Sequence, residues 1–157
     1  MDETTKAIIE KITTRHPTPV SLPGGGRSTV VYDCSLLSPN DLARMAAEAT
    51  GDLPEGTFDA VIGLAYRGIL FAASVAGGHQ VIIMESDGKL CGPPIRGRRV
   101  VIVDDVVHSG EHLLNARALA EGAGATVVGF ACIVDRSTSH AVFGALPLWS
   151  AFCPHDV

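Results

Sequence analysis

From residue 58 onward, short unbroken runs of Val, Ile, Leu and Ala alternate with stretches at helical spacing. The apolar runs are DAVIGL (59–64), QVIIM (80–84), RRVVIVDD (98–105), TVVGFACIV (126–134) and LPLWSAF (146–152); the helical stretches are GILFAASVA (68–76) and HLLNARALAEGA (112–123). A strand with one wet face reads as apolar and polar in turn, so a strand that is apolar throughout must be covered on both faces. Helices lying between such strands supply the cover and carry the chain back to start a parallel neighbour. The expectation is an α/β fold, doubly wound or a close relative, with a mainly parallel sheet flanked by helices.

The first 57 residues read differently. Ala7, Ile8 and Ile12 share a helical face within residues 3–15, and Pro17 and Pro19 stop that helix. In VSLPGGGRSTVVYDC (20–34) a Pro/Gly cluster separates two β-prone pieces, as in a hairpin. Ser38-Pro39-Asn40-Asp41 supplies an N-cap, a proline at the first helical position and an acid in the first turn, opening a helix to about Ala49. With 157 residues, 46% hydrophobic and 18% charged, one domain spanning 1–157 is expected, its N-terminal helix, hairpin and helix (1–57) set on a core α/β unit (58–157).

Twelve basic against seventeen acidic residues give a net charge of −5, which argues against nucleic acid as a partner. Cys34, Cys91, Cys132 and Cys153 are far apart and lack zinc-ligand spacing, as in reduced thiols. The opening MDETTKAIIEK has no signal-peptide pattern, and the apolar stretch 69–76 is too short to span a bilayer. A cytoplasmic protein without a membrane partner is expected.

Chemistry concentrates in VVIVDDVVHSGEH (100–112). An apolar strand ends in Asp104 and Asp105, and a loop with Ser109 and Gly110 leads straight into a helix. Ligands of open α/β sheets lie at the carboxyl ends of strands, and a helix start after a glycine offers free N–H groups to an anion. Acids beside a phosphate cradle repel it unless they hold sugar hydroxyls or a divalent cation, so a phosphorylated sugar with a metal satisfies both. Two other readings stay open at this point: Asp104 and Asp105 as helix caps, and a phosphoacceptor pair of the receiver type.

The segment V-D-D-V-V-H-S-G (103–110) resembles the phosphoribosyl-pyrophosphate signature of type I phosphoribosyltransferases. AVIGLAYRGIL (60–70) is similar to the pyrophosphate loop of the orotate phosphoribosyltransferases, with Gly63, Ala65, Tyr66, Gly68 and Ile69 at the matching places. Residues 22–36 resemble that family's N-terminal hairpin, Val134-Asp135-Arg136 the strand end whose Arg holds the carboxylate of the base, and LPLWSAF its last strand. The resemblance implies a single-domain type I phosphoribosyltransferase fold and transfer of 5-phosphoribosyl from phosphoribosyl pyrophosphate to a pyrimidine or similar base, a pentosyltransferase reaction of nucleotide metabolism. It implies that Asp104 and Asp105 bind the ribose hydroxyls directly or through Mg²⁺. Val107, His108, Ser109, Gly110, Glu111 and His112 would wrap the 5′-phosphate. Ala65, Tyr66, Arg67 and Gly68 would hold pyrophosphate, with Gly68 allowing close backbone approach, and a homodimer is implied.

Some residues depart from that pattern. The family's long cationic lid has only Glu85 to Gly97 in its place, ESDGKLCGPPIRG, where Lys89 and Arg96 are the cations and Gly88 and Gly92 the flexible points. Lys89 is therefore the expected catalytic cation. Leu22 is followed by Pro23-Gly24-Gly25-Gly26 rather than Lys, with Arg27 the nearest cation, and His112 stands where Thr or Ser is usual. A second reading follows: a regulatory module that binds phosphoribosyl pyrophosphate or a nucleotide without efficient catalysis. Tyr66 as ordinary packing, and Arg136 as a partner of Asp135, are the plain alternatives for those two side chains; His108 and His112 with Glu111 as metal ligands is another.

Overall fold

The computed structural model describes residues 1–23 and 25–154. Gly24, in the expected hairpin turn, and His155 lie outside the described residues. The N-terminal unit begins with helix α1 (Glu3–Ile12), capped by the Asp2 carboxylate, which accepts from the Thr5 N–H at 2.9 Å. The helix stops before Pro17 and Pro19 are reached. β-Branched Thr13 and Thr14 turn directly into strand β1 (Thr13–Ser21), which pairs antiparallel with β2 (Arg27–Tyr32). Thr13 faces Tyr32 and Arg15 faces Val30, but the next matched pair is Val20 with Ser28, so His16 to Pro19 bulge out. Two prolines that cannot donate to a ladder explain that bulge. The first strand thus starts seven residues earlier than the 20–34 expectation. Helix α2 (Pro39–Thr50) starts as expected, with Ser38 and Asp41 in a reciprocal capping box.

The core unit holds β3 (Ala60–Leu64), α3 (Ile69–Ala76), β4 (Gln80–Met84), β5 (Leu90–Cys91), β6 (Arg99–Val103), β7 (Val106–Val107), α4 (Glu111–Gly122), β8 (Thr126–Asp135) and β9 (Leu148–Phe152). Among the described residues they form a seven-stranded sheet in the order β5-β4-β3-β6-β8-β7, with β9 also on β8. All pairings are parallel except β4 with β5. Alternate residues of each strand go to opposite faces. Ala60, Ile62, Val100, Ile102 and Phe130 pack with Leu113, Ala116 and Ala120 of α4. Val61, Val101, Val103, Ala131 and Ile133 pack under α1, α2 and α3 against Ile12, Met45 and Phe71. Burial of both faces is why the strands read as unbroken apolar runs.

The run 98–105 does not continue as one strand. It breaks at Asp104 and Asp105 and resumes as β7. The register is kept across the break: Val103 faces Ala131 and Val106 faces Val134, three residues on in both strands. The interval after β4 is likewise ordered. β5 folds back on β4, with Met84 opposite Leu90 and Ile83 opposite Cys91. No helix of the described residues is long and apolar enough to cross a membrane.

Candidate active site

A cleft of about 620 Å³ opens over the carboxyl ends of β3, β4 and β6. Its lining draws on the hairpin (Leu22, Val31, Tyr32), the β3–α3 loop (Ala65, Tyr66, Arg67), the β4–β5 turn (Glu85 to Gly88), the acid pair, and His112, Asn115 and Leu119 of α4. His108 and Arg136 also line it. Segments spread over most of the chain therefore meet in one place.

At the centre, the Asp104 carboxylate accepts from the Asp105 N–H at 2.9 Å, and the Asp105 carboxylate from the Val106 N–H at 2.7 Å. Each uses one oxygen to fix its own turn and keeps the other. The Ile133 N–H bonds to the Asp105 carbonyl at 2.8 Å, so the pair is held against β8. Burial, and then the neighbouring charge of Asp105, push the Asp104 carboxyl up to about 7. Two carboxylates that resist ionising together, with hard oxygens to spare, form a donor set suited to a divalent cation or to sugar hydroxyls. The cap reading is not what the geometry gives, since the residue before α4 is Gly110.

Gly110 has φ +84, and its carbonyl accepts the Leu114 N–H at 3.0 Å. The Glu111 N–H reaches the Ser109 hydroxyl at 3.3 Å. The first-turn amides of His112 and Leu113 have no intrahelical acceptor, as at every helix start. A small groove runs along this loop, lined by Asp104 and by Val106 to Leu113. Val107 contributes backbone only: its side chain is 3% exposed, and its carbonyl takes the Arg136 N–H at 2.7 Å. Burial, followed by the charge of Arg136, lowers the half-buried His108 imidazole below its ordinary range. His112 lies in the first turn of α4 rather than in a loop, and no group of three or more His, Cys, Asp or Glu suited to a metal occurs among the described residues.

In the β3–α3 loop the Ala65–Tyr66 peptide is cis. Tyr66 is 75% exposed, which removes ordinary packing as its explanation, and the Arg67 guanidinium lies 5.8 Å from its ring centroid. Gly68 differs from expectation. A Cβ there would stand 2.6 Å from the Val103 carbonyl oxygen and 3.0 Å from the Asp104 Cα, so the missing side chain lets the loop press on β6, not on a ligand.

Arg136 does not pair with Asp135. Its guanidinium donates to the Val30 carbonyl and the Ser28 hydroxyl, both at 2.8 Å, and lies 5.1 Å from the Tyr32 ring centroid. It thus ties β8 to the hairpin and faces a second cleft of about 530 Å³ lined by Leu22, Gly25, Gly26, Arg27, Ser28, His108 and Ser109.

Lys89 is the expected residue that the structure leaves out of the site. It is exposed and absent from the cleft lining, because the turn puts Glu85, Ser86, Asp87 and Gly88 there instead. That turn is closed on itself: the Glu85 N–H meets the Lys89 carbonyl and the Gly88 N–H the Glu85 carbonyl, both at 2.8 Å, and the Asp87 carboxylate accepts the Lys89 N–H at 2.9 Å. Gly88, at φ +89, packs on Leu119, while a Cβ on Gly92 would meet Ile82; they shape an edge rather than a hinge. Arg96 lies over Gly124 at the other end of the sheet, where the Gly97 N–H bonds to the Gly124 carbonyl. Conversely, sequence reasoning passed over Asn115 and Leu119. Asn115 is three residues after His112 on α4, a spacing that puts both on one helical face.

A parallel sheet bearing an acid pair, an anion-ready helix start and a pyrophosphate-type loop around one cleft defines a phosphoribosyltransferase architecture. The model of the phosphoribosyl transferase domain matches residues 77–142. The orotate phosphoribosyltransferase of Nocardioides sp. is 33% identical over 128 residues, 74% of this chain and 71% of that one; that of Thermus thermophilus is 38% identical over 124 residues, 73% and 67%. Among solved structures, Leishmania donovani UMP synthase superposes with a TM-score of 0.82 at 25% identity, covering 98% of this chain but 36% of that one. The chain belongs to the orotate phosphoribosyltransferase family, a group of pentosyl-transferring enzymes.

Proposed function

We propose that this protein transfers 5-phosphoribosyl from phosphoribosyl pyrophosphate to a ring nitrogen of a small heterocyclic acid of the orotate type and releases pyrophosphate. The observation that carries this reading is the single cleft that gathers the acid pair, the β3–α3 loop, the hairpin and Arg136. The 5′-phosphate would rest on the amides at the start of α4 and the Ser109 hydroxyl, with Glu111 and His112 beside it. Asp104 and Asp105 would accept from the ribose hydroxyls, and Ala65, Tyr66 and Arg67 would face the pyrophosphate. The base would lie under the hairpin with its carboxylate on the outer edge of Arg136, which is already held in place by Val30 and Ser28. As the bond from the anomeric carbon to the pyrophosphate oxygen breaks and its electron pair leaves with that oxygen, the lone pair of the base nitrogen forms the new bond, the proton of that nitrogen passes to the departing pyrophosphate or to water, and alignment by these walls lowers the barrier. Asp104 and Asp105 fit Mg²⁺, which when bound neutralises charge on the leaving group.

The test is pyrophosphate release from phosphoribosyl pyrophosphate and Mg²⁺ with orotate and with uracil. Orotate should be preferred, and Arg136→Ala should remove that preference, since a charged hydrogen bond contributes about 1.5–3 kcal/mol. A wild-type protein that prefers neutral bases would overturn the base assignment, and no release with any base would overturn the transferase reading. A homodimer belongs to the same proposal: Tyr66 and Leu70, 75% and 66% exposed beside the cleft, are an apolar surface that a second copy would cover, and light scattering reads the mass directly.

A further inference from the structure

The 3₁₀ turn Ala141–Phe143 has no part in the reaction as described, yet it lies directly beneath the phosphate loop. Phe143 is fully buried, and its ring is the surface on which Gly110 rests: a Cβ on Gly110 would stand 2.6 Å from Cζ and 2.8 Å from Cε1. The ring is wedged from behind by Phe130, 5.1 Å away between centroids. What places the turn is a clamp at the end of β8. Asp135, 2% exposed, accepts on one oxygen from the Ser137 N–H at 2.8 Å and the Ser137 hydroxyl at 2.5 Å, and on the other meets His140 Nε2 at 2.6 Å. The His140 carbonyl in turn accepts the Phe143 N–H at 3.0 Å, and its ring stands edge-on to Phe143. A continuous path of contacts therefore joins Asp135, His140, Phe143 and Gly110.

Gly110 is the residue whose left-handed backbone turns the chain into α4, so its position sets where the amides after it point. We infer that Phe143, anchored by the Asp135–His140 clamp, is a positioning residue that aims the 109–112 amides at a phosphate. The inference rests on the reading of that loop as the phosphate site. Its mechanism is geometric: the clamp touches no ligand, and a small displacement of an oriented group is enough to weaken its grip. His140 is the place to cut the path, because its side chain is 55% exposed and its loss opens no core cavity.

The experiment uses the full chain with ribose 5-phosphate and magnesium pyrophosphate as separate probes, alongside amide nuclear magnetic resonance. In His140→Ala the signals of Ser109, Gly110 and Glu111 should move and ribose 5-phosphate should bind roughly tenfold more weakly, while magnesium pyrophosphate, held by the other loop, is unchanged. His140→Gln, whose amide can still donate to Asp135, should restore both. Unmoved signals at 109–111, equal losses for both probes, or failure of glutamine to rescue would overturn the inference. If the wild-type chain binds no ribose 5-phosphate, the phosphate-site reading falls, and the amide signals still decide whether the clamp sets the loop.

Discussion

Two turns face each other across the cleft. One joins β6 to α4 through Asp104 to Gly110; the other joins β4 to β5 through Glu85 to Lys89. Each has a glycine with nearly the same positive φ, +84 at Gly110 and +89 at Gly88, and each carries two acids. They differ in where their amides go. The first leaves the start of α4 unsatisfied and open, whereas the second spends its Glu85, Gly88 and Lys89 N–H groups on itself. A glycine-bearing turn at a strand end is thus no anion site unless its donors are left over. The cleft consequently has an anion-accepting wall and an acidic one, with Arg67 and Arg136 as its permanent cations among the described residues.

The sharpest way to break this contrast is to neutralise the acids on the accepting wall. Asp104→Asn with Asp105→Asn should weaken binding of phosphoribosyl pyrophosphate with Mg²⁺ by at least about 3 kcal/mol, read by calorimetry, since charged hydrogen bonds are worth roughly 1.5–3 kcal/mol each. Unchanged affinity in a folded double variant would sink the assignment.

Next come the two glycines. Gly110→Ala forces an L-residue into the left-handed region and onto a buried ring, and should cost about 3 kcal/mol in stability along with phosphate binding. Gly88→Ala meets only the end of the Leu119 side chain, so about 1 kcal/mol is expected, with ligand affinity kept. Equal costs in denaturant titrations would erase the distinction.

The acid pair also predicts a pH response. Asp104 keeps its proton up to about pH 7 in the native state, while the unfolded chain gives it up near 3.8. Stability should therefore fall as pH rises between those values and level off above. Asp104→Asn should remove that part of the slope, gaining on the order of 4 kcal/mol over wild type at pH 8 and nothing below pH 4. Parallel pH curves for the two proteins would refute this.

The acidic wall gives the smaller effects. Glu85→Lys should raise pyrophosphate release severalfold by returning a cation to the leaving-group side, in the way that transition-state charge is usually stabilised. Lys89→Ala, outside the cleft, should stay within about twofold of wild type. A large loss on removing Lys89 would mean that the turn rearranges when ligand binds.

The sheet was legible because burial on two faces leaves its mark residue by residue, as in 59–64 and 126–134. The acid pair and the β3–α3 loop were legible because strand-end chemistry is local. Three things were not. The strand at Thr13 follows a helix without any punctuation, and its prolines lie in a bulge that only pairing with β2 creates. Lys89 reads as available because charge is visible in sequence, whereas the direction in which a five-residue turn presents it is not. Arg136 shows an acid beside it in sequence, but its partners Val30 and Ser28 come from more than a hundred residues away.

The unbroken register from β6 into β7 has a consequence for length. Asp104 and Asp105 act as a spliced spacer between two pieces of one ladder, and because side chains alternate, the spacer's size fixes which way everything after it faces. One residue more or fewer would turn Val107 out of the core and swing Gly110 off Phe143. The acids can be exchanged for other residues with the frame intact, but they cannot be counted differently.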